Sequence, residues 1–369
     1  MVGNGTKRTR TRKTFSWLAI AGWMLLAVLG GGASAAAERE PSPAESGAVV
    51  FVYSRFGESR YPNQNISLDQ FETHLQELIA GGYTVLPLGE IVEAIRGSRP
   101  LPDRTVALTI DEAWRSVYEE AFPRLKMAGF PFTVFVSPGA LDRGSPLHVT
   151  WGELKEMVRS GGVTVGMLPG SPKALPERHL NDIRADLRES QERLKSELGI
   201  LPTLTAYPYG IYSQAIRDAV ARLEGNLGLR GAFGQQSGVV YSLSDPYALP
   251  RFVMNEGYGS LERFRLAANA LPLPVEDVTP GDPMLSTNPP SLGFSVVGEV
   301  GDLARLACFA GGLGRLPVER LDEHRLEVRI PDRFPPGRAR INCTLPAPDG
   351  RWRWHGVQLF VPEVQDPPP

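Results

Sequence analysis

The sequence predicts an α/β domain followed by a small all-β domain, and three observations lead there. From Val49 to about Leu223, short β-branched runs alternate with helix-period apolar stripes. That is the pattern of a parallel sheet with helices outside it, either open or closed into a β/α barrel. Prolines then gather at Pro272, Pro274, Pro280, Pro283, Pro289 and Pro290, marking a stiff connector. Beyond them only strand patterns remain, which fits a β-sandwich.

The strand runs of the first part are Val49–Tyr53, Thr84–Leu86, Thr105–Ile110, Phe132–Val136, Val163–Val165 and Leu204–Tyr207. One helical stripe is Leu68, Phe71, Leu75, Leu78 and Ile79, with Ser67 and Gln70 placed as a capping box. A longer stripe runs from Leu180 to Leu198, and Ile216, Val220 and Leu223 mark a third. In the last part, Arg325 to Ile330 alternates cleanly, and Pro348-Asp349-Gly350 is a hairpin turn joining the strand ending at Leu345 to one from Trp352. Trp352 and Trp354 share one strand face and are expected in the core, with stacking on a sugar ring as the alternative.

The ends of the chain suggest an address. Lys7, Arg8, Arg10, Arg12 and Lys13 precede an apolar stretch from Phe15 to Leu29 and then Ala33-Ser34-Ala35, the layout of a secretion signal. The apolar stretch falls short of the about 20 residues a membrane span needs. Cleavage near Ala35 is therefore expected, an uncleaved membrane anchor being the alternative. The layout is a signal peptide over 1–35, a linker over 36–47, an α/β domain over 48–271, a Pro-rich linker over 272–291, a β-sandwich over 292–364 and a tail over 365–369. A net charge of −2 offers no field for nucleic acid.

Export to the periplasm or the cell exterior would put the two cysteines, Cys308 and Cys343, in an oxidising compartment. Ala339, Ile341, Cys343 and Leu345 alternate with polar neighbours, and Cys308 shares a face with Ala304, Leu306 and Ala310. Both thiols thus point inward, either paired as a disulfide or buried and free.

In a parallel β/α architecture, chemistry gathers where the loops leave the carboxyl ends of the strands. After the third run come Asp111, Glu112 and Ala113-Trp114-Arg115-Ser116; after the last come Pro208, Tyr209 and Gly210; later Leu249-Pro250-Arg251-Phe252 closes another strand-like run. Here the sequence resembles the polysaccharide deacetylases, the NodB-homology carbohydrate esterases. Thr109-Ile110-Asp111-Glu112-Ala113-Trp114-Arg115-Ser116 is similar to that family's Thr-Phe-Asp-Asp-Gly/Ala-Tyr-Arg-Ser motif. Phe122-Pro123-Arg124-Leu125, Phe130 to Val136, and Ala206-Tyr207-Pro208-Tyr209-Gly210 look like the family's following helix, strand and groove motif. The resemblance implies a distorted β/α barrel and a hydrolase of carbohydrate metabolism acting on carbon–nitrogen bonds of acetylated glycans.

It also implies a metal site that the sequence does not complete. The family holds a zinc- or cobalt-like ion with an Asp and two His spaced His-x-x-x-His, and a neighbouring Asp takes the proton. The resemblance places Asp111 at the base position, Arg251 as the residue orienting it, and Glu112 at the metal-ligand Asp, where the longer carboxylate is a doubtful ligand. The two His positions fall on Leu168 and Pro172, which have no lone pair to donate. Asp111 and Glu112 have a plainer alternative, capping the next helix. Trp114, Tyr207 and Tyr209 are expected to face a sugar, although one of the two tyrosines is expected in the core.

Three functions are compatible with these residues. The first is a glycan-binding pseudoenzyme that needs no cofactor, its partner an acetylated polysaccharide or oligosaccharide. The second is an active deacetylase with an atypical divalent metal site. The third is an envelope scaffold acting through its β-domain. A membrane partner enters only through an uncleaved anchor.

Overall fold

The computed structural model describes residues 46–170 and 179–363; the expected signal peptide, the C-terminal tail from 365 and Pro172 lie outside them. The strand Gly47–Tyr53 is buried almost throughout because Val49, Phe51 and Tyr53 pack on the outer helices, while Ala48 and Val50 pack against Phe135, Leu204 and Phe233 inside the curled sheet and against Leu88 and Ile91. It pairs in parallel with Thr105–Asp111, and the sheet continues in parallel through Phe132–Val136, Val163–Met167, Leu204–Ala206 and Gly231–Phe233. Every run expected from the alternation is a strand, Phe132–Val136 with the same ends and the others with ends shifted by one or two residues. The helices Leu68–Ala80 and Leu180–Leu198 also form where the stripes place them, the first under the capping box of Ser67 and Gln70.

A short stretch then curls the sheet back on itself. Leu249 bridges Phe233 on one side, and three residues later Phe252 pairs in parallel with Phe51. Strand Val239–Tyr241 runs antiparallel along the first half of Gly47–Tyr53. The result is the distorted, curled barrel that the fold class called for. Arg251 sits in this closing stretch.

The all-β part consists of two sheets around their own core. One orders Leu271–Pro272, Trp352–Val361, Gly337–Pro346, Ala307–Ala310 and Gly314–Leu316; the other orders Val275–Thr279, Leu292–Val296, Arg325–Val328 and Val318–Arg320. Phe294, Leu326, Ile341, Leu345 and Leu359 fill the space between. The long hairpin turns at Pro348-Asp349-Gly350 as read. Cys308 and Cys343 stand opposite each other in the sheet and are joined by a disulfide.

The Pro-rich stretch is more than a spacer. Its first residues form Leu271–Pro272 and Val275–Thr279, which edge the two sheets. Prolines suit edges, since they lack one ladder donor. All the described residues fall in one compact unit. The hairpin lies directly on the barrel: Trp354 meets Phe252 edge-on at 5.2 Å between ring centroids, and His355 bridges Gly238. At Gly356 any side chain would drive its Cβ to 2.0 Å from the Ser237 carbonyl oxygen. Trp354 therefore packs against the barrel core, while its same-face neighbour Trp352 is exposed.

Two consequences can be measured. Replacing Cys308 and Cys343 by alanine should cost about 4 kcal/mol in denaturant unfolding, the chain-entropy value for a loop of this size; an unchanged midpoint would contradict it. Gly356→Val should lower the melting temperature by several degrees by forcing the hairpin off the barrel, whereas a variant as stable as the parent would show that contact to be incidental.

Candidate functional site

The site is organised by one buried ion pair. Asp111 ends the strand Thr105–Asp111, whose residues are all buried. Arg251, fully buried, reaches it from the closing stretch: Nη1 donates to Asp111 Oδ1 at 2.6 Å and Nη2 to Oδ2 at 2.8 Å. Two further guanidinium donors are satisfied, Nε by the Gly234 carbonyl at 2.9 Å and Nη1 by Thr109 Oγ1 at 3.3 Å. Such a two-pronged pair, with further hydrogen bonds on both partners, is the geometry in which a buried arginine and carboxylate can coexist.

Asp111 opens into a cleft of about 460 Å³ at the carboxyl ends of the strands. Gln235 forms its middle wall, donating from Nε2 to Asp111 Oδ2 at 3.2 Å. Its Oε1 accepts from Arg338 Nη1 at 3.2 Å and Arg340 Nη2 at 3.3 Å. Both arginines come from the β-domain strand Gly337–Pro346 and line the cleft. The barrel loop Pro208–Gly210 is held to the same domain, since Gln358 Nε2 donates to the carbonyls of Tyr209 and Gly210 at 3.2 and 2.9 Å. Gly210 is required there: its φ is +70°, and a Cβ would lie 2.4 Å from the Gln235 nitrogen.

Glu112 turns into the cleft with φ +66°, a conformation that is uncommon for a side-chain-bearing residue. Burial first, and the neighbouring Asp111 charge second, push its carboxyl up to about 7, with Arg55 opposing. Tyr209 has φ +58° and lines the same cleft with an exposed ring. Strained backbone at two residues facing one cleft is typical of a functional surface.

The other expected residues are placed differently. Tyr207 is buried, donates its hydroxyl to the Tyr247 carbonyl at 2.9 Å and stacks on Tyr212, so it belongs to the core and not to a sugar-facing groove. The strand ends at Ala206, and the turn at Pro208–Gly210 breaks the alternation that put both tyrosines on one face. Trp114 does not line the cleft: its Nε1 donates to Ser54 Oγ at 3.1 Å, and its ring carries Arg55 at 3.4 Å and stacks on His148 at 4.3 Å. Leu168 lines the cleft as an aliphatic wall. Gln235, Tyr258, Arg338 and Arg340 were not anticipated. The alternation through 338–345 did show a polar strand face, but not that this face would meet the barrel.

Whether the family's metal would fit can be judged from the donors. Both Asp111 oxygens are engaged by Arg251 and Gln235, Glu112 supplies one carboxylate, and Leu168 supplies nothing. His74 is committed elsewhere, its Nδ1 to the Tyr53 hydroxyl and its Nε2 to the Gly259 carbonyl. Among the described residues no three His, Cys, Asp or Glu side chains converge as a ligand set. This donor set does not fit a three-ligand centre.

Comparison with known proteins places the fold. The family model for polysaccharide deacetylases matches residues 98–227, so this stretch of the first domain is similar to that family. A poly-β-1,6-N-acetyl-D-glucosamine N-deacetylase of Staphylococcus aureus is 23% identical over 218 residues, 56% of this chain and 73% of the relative. The Streptococcus pyogenes deacetylase PplD, solved with acetate, superposes with a TM-score of 0.55 at 21% identity, covering 61% of this chain and 99% of that one. IcaB from Ammonifex degensii superposes with a TM-score of 0.52 at 26% identity over 61% of this chain and 98% of its own. No helix among the described residues is long and apolar enough to cross a membrane.

The ion pair and Glu112 give separate readouts. Arg251→Met should cost about 3–5 kcal/mol because it strands a buried carboxylate, and adding Asp111→Asn should recover part of that loss; additive losses would deny the coupling. For Glu112, the folded protein holds its proton more tightly than the unfolded chain does. Its stabilising contribution is therefore complete below the ordinary value of 4.5 and lost as pH rises to about 7. Glu112→Gln should flatten that slope and be the more stable protein at pH 8 by about 1 kcal/mol, after discounting for solvent on one side. Parallel stability–pH curves for the two proteins would contradict this.

Proposed function

We propose that this protein binds an acetylated glycan in the Asp111 cleft without hydrolysing it, in an exported setting. The observation that carries the reading is the donor set of the cleft, where Asp111 is paired with Arg251, Glu112 is the one other carboxylate and Leu168 is an aliphatic wall. Amide hydrolysis needs a polarised carbonyl, an activated water and an acid for the leaving amine. In the family an ion supplies the first two, and this donor set does not fit one.

Binding demands less. A cleft of this size, with a few fixed polar groups and exposed aromatic faces, suits a short oligosaccharide. Tyr209 and Tyr258 both expose their rings and line it, and the Glu112 carboxyl, pushed up to about 7, can donate to an acetamido oxygen near neutral pH. The Cys308–Cys343 disulfide supports the exported setting.

The test follows acetate release and ligand-observed NMR on acetylated chitooligosaccharides, with and without added zinc or cobalt. Binding without acetate release is expected, with Tyr209→Ala weakening it about tenfold through loss of a stacking face. Metal-dependent acetate release would establish a working deacetylase with an atypical site and overturn the proposal. Absence of binding to any acetylated glycan would overturn it in the other direction, leaving the barrel as a scaffold.

A further inference from the structure

The cleft holds more positive charge than its own carboxylates answer. Asp111 is matched by Arg251, and Arg55, next in sequence to the cleft residue Ser54, by Glu58 at 2.6 Å. Arg338 and Arg340 have no carboxylate partner: among the described residues they donate only to neutral acceptors, namely Gln235 Oε1, the Tyr209 carbonyl and Gln358 Oε1. The remaining cleft acid, Glu112, is the one that burial pushes toward its neutral form. Behind Tyr258 a third guanidinium, Arg263, lies 5.1 Å from the ring centroid, and its buried Nη1 finds no hydrogen-bond partner among the described residues.

Like charges so placed repel one another. Arg340 is pulled down to about 10, first by burial and next by the charge of Arg338, and Arg263 presses on it in the same direction. A protein that needed these side chains only to dock its two parts could use neutral amides, as it does at Gln358. Gathering unanswered guanidiniums on a cleft wall costs folding energy that an incoming anion can return.

We propose that Arg338 and Arg340 form a subsite for an anionic group on the bound saccharide, so that the protein selects an acidic glycan, one bearing a carboxylate or a phosphate, over a neutral one. The planar, multi-donor guanidinium matches either oxyanion. The charge comes from the β-domain and the acetyl-facing groups from the barrel. The second domain is thereby part of the binding site. This inference rests on the glycan-binding reading for the saccharide part of the ligand, while the anion subsite can be tested alone.

The experiment titrates the purified protein, labelled for observation of arginine side-chain NMR signals, with four probes. They are a neutral N-acetylated disaccharide, a disaccharide of the same size carrying a carboxylate, a phosphorylated N-acetylated sugar, and inorganic phosphate alone. At low salt an anionic saccharide should bind about tenfold more tightly than the neutral one, an advantage that falls away in ~0.5 M salt as screening shortens to a few ångströms. In the double variant Arg338→Gln, Arg340→Gln the advantage should vanish, so that neutral and anionic disaccharides bind equally; Arg338→Lys, Arg340→Lys should retain part of it. Thermal melts of both variants guard against misfolding, and the lysine pair serves if the glutamine pair is unstable. The stronger of the two anionic saccharides identifies the natural group. Equal affinity for neutral and anionic saccharides would overturn the subsite and leave glycan binding intact. Phosphate that shifts the Arg338 and Arg340 signals while no saccharide binds would uphold the subsite and sink the glycan reading. No shift with any anion would overturn the inference outright.

Discussion

The bidentate pair of Asp111 and Arg251 is the constraint on which the rest of the molecule turns. It joins the carboxyl end of the strand Thr105–Asp111 to the stretch that closes the barrel between Phe233 and Phe51. Neither charge is tolerable there without the other. The pair therefore fixes the position of the closing stretch and with it the walls of the cleft.

Through Gln235 the pair extends outward. One amide donates to Asp111 and accepts from two arginines of the β-sandwich, so barrel and sandwich meet in a single polar chain. Trp354 on Phe252 and the bare backbone of Gly356 against Ser237 supply the apolar part of the same contact. The cleft is consequently a product of both parts of the chain. Its charge is set mainly by residues that lie outside the matched region 98–227.

Much of this was legible in the sequence. The alternation of strands and helices shows because periods of 2 and 3.6 residues are local properties, and the capping box at Ser67 and the turn at Pro348-Asp349-Gly350 are local chemistry. Asp111 and Arg251, 140 residues apart, were brought together only by the resemblance, since no local rule links them. The misplaced residues share a cause. Tyr207 and Tyr209 look equivalent until the chain turns at Pro208; Trp114 looks like a cleft aromatic until Arg55 and His148 occupy its faces. Arg338 and Arg340 read as the solvated side of a half-buried strand, because alternation tells which side chains are polar and not what stands opposite them. The prolines of 272–291 read as a connector because the edge strands they permit are defined by long-range pairing.

A crystal structure of the protein soaked with an acetylated oligosaccharide and zinc together would test the central claim most directly. The expected result is a sugar lying along Tyr209 and Tyr258 toward Arg340, with the Asp111–Arg251 pair intact and no ion bridging Asp111 and Glu112. An ion bound by those two carboxylates, with Arg251 displaced and the acetyl oxygen on the metal, would contradict it.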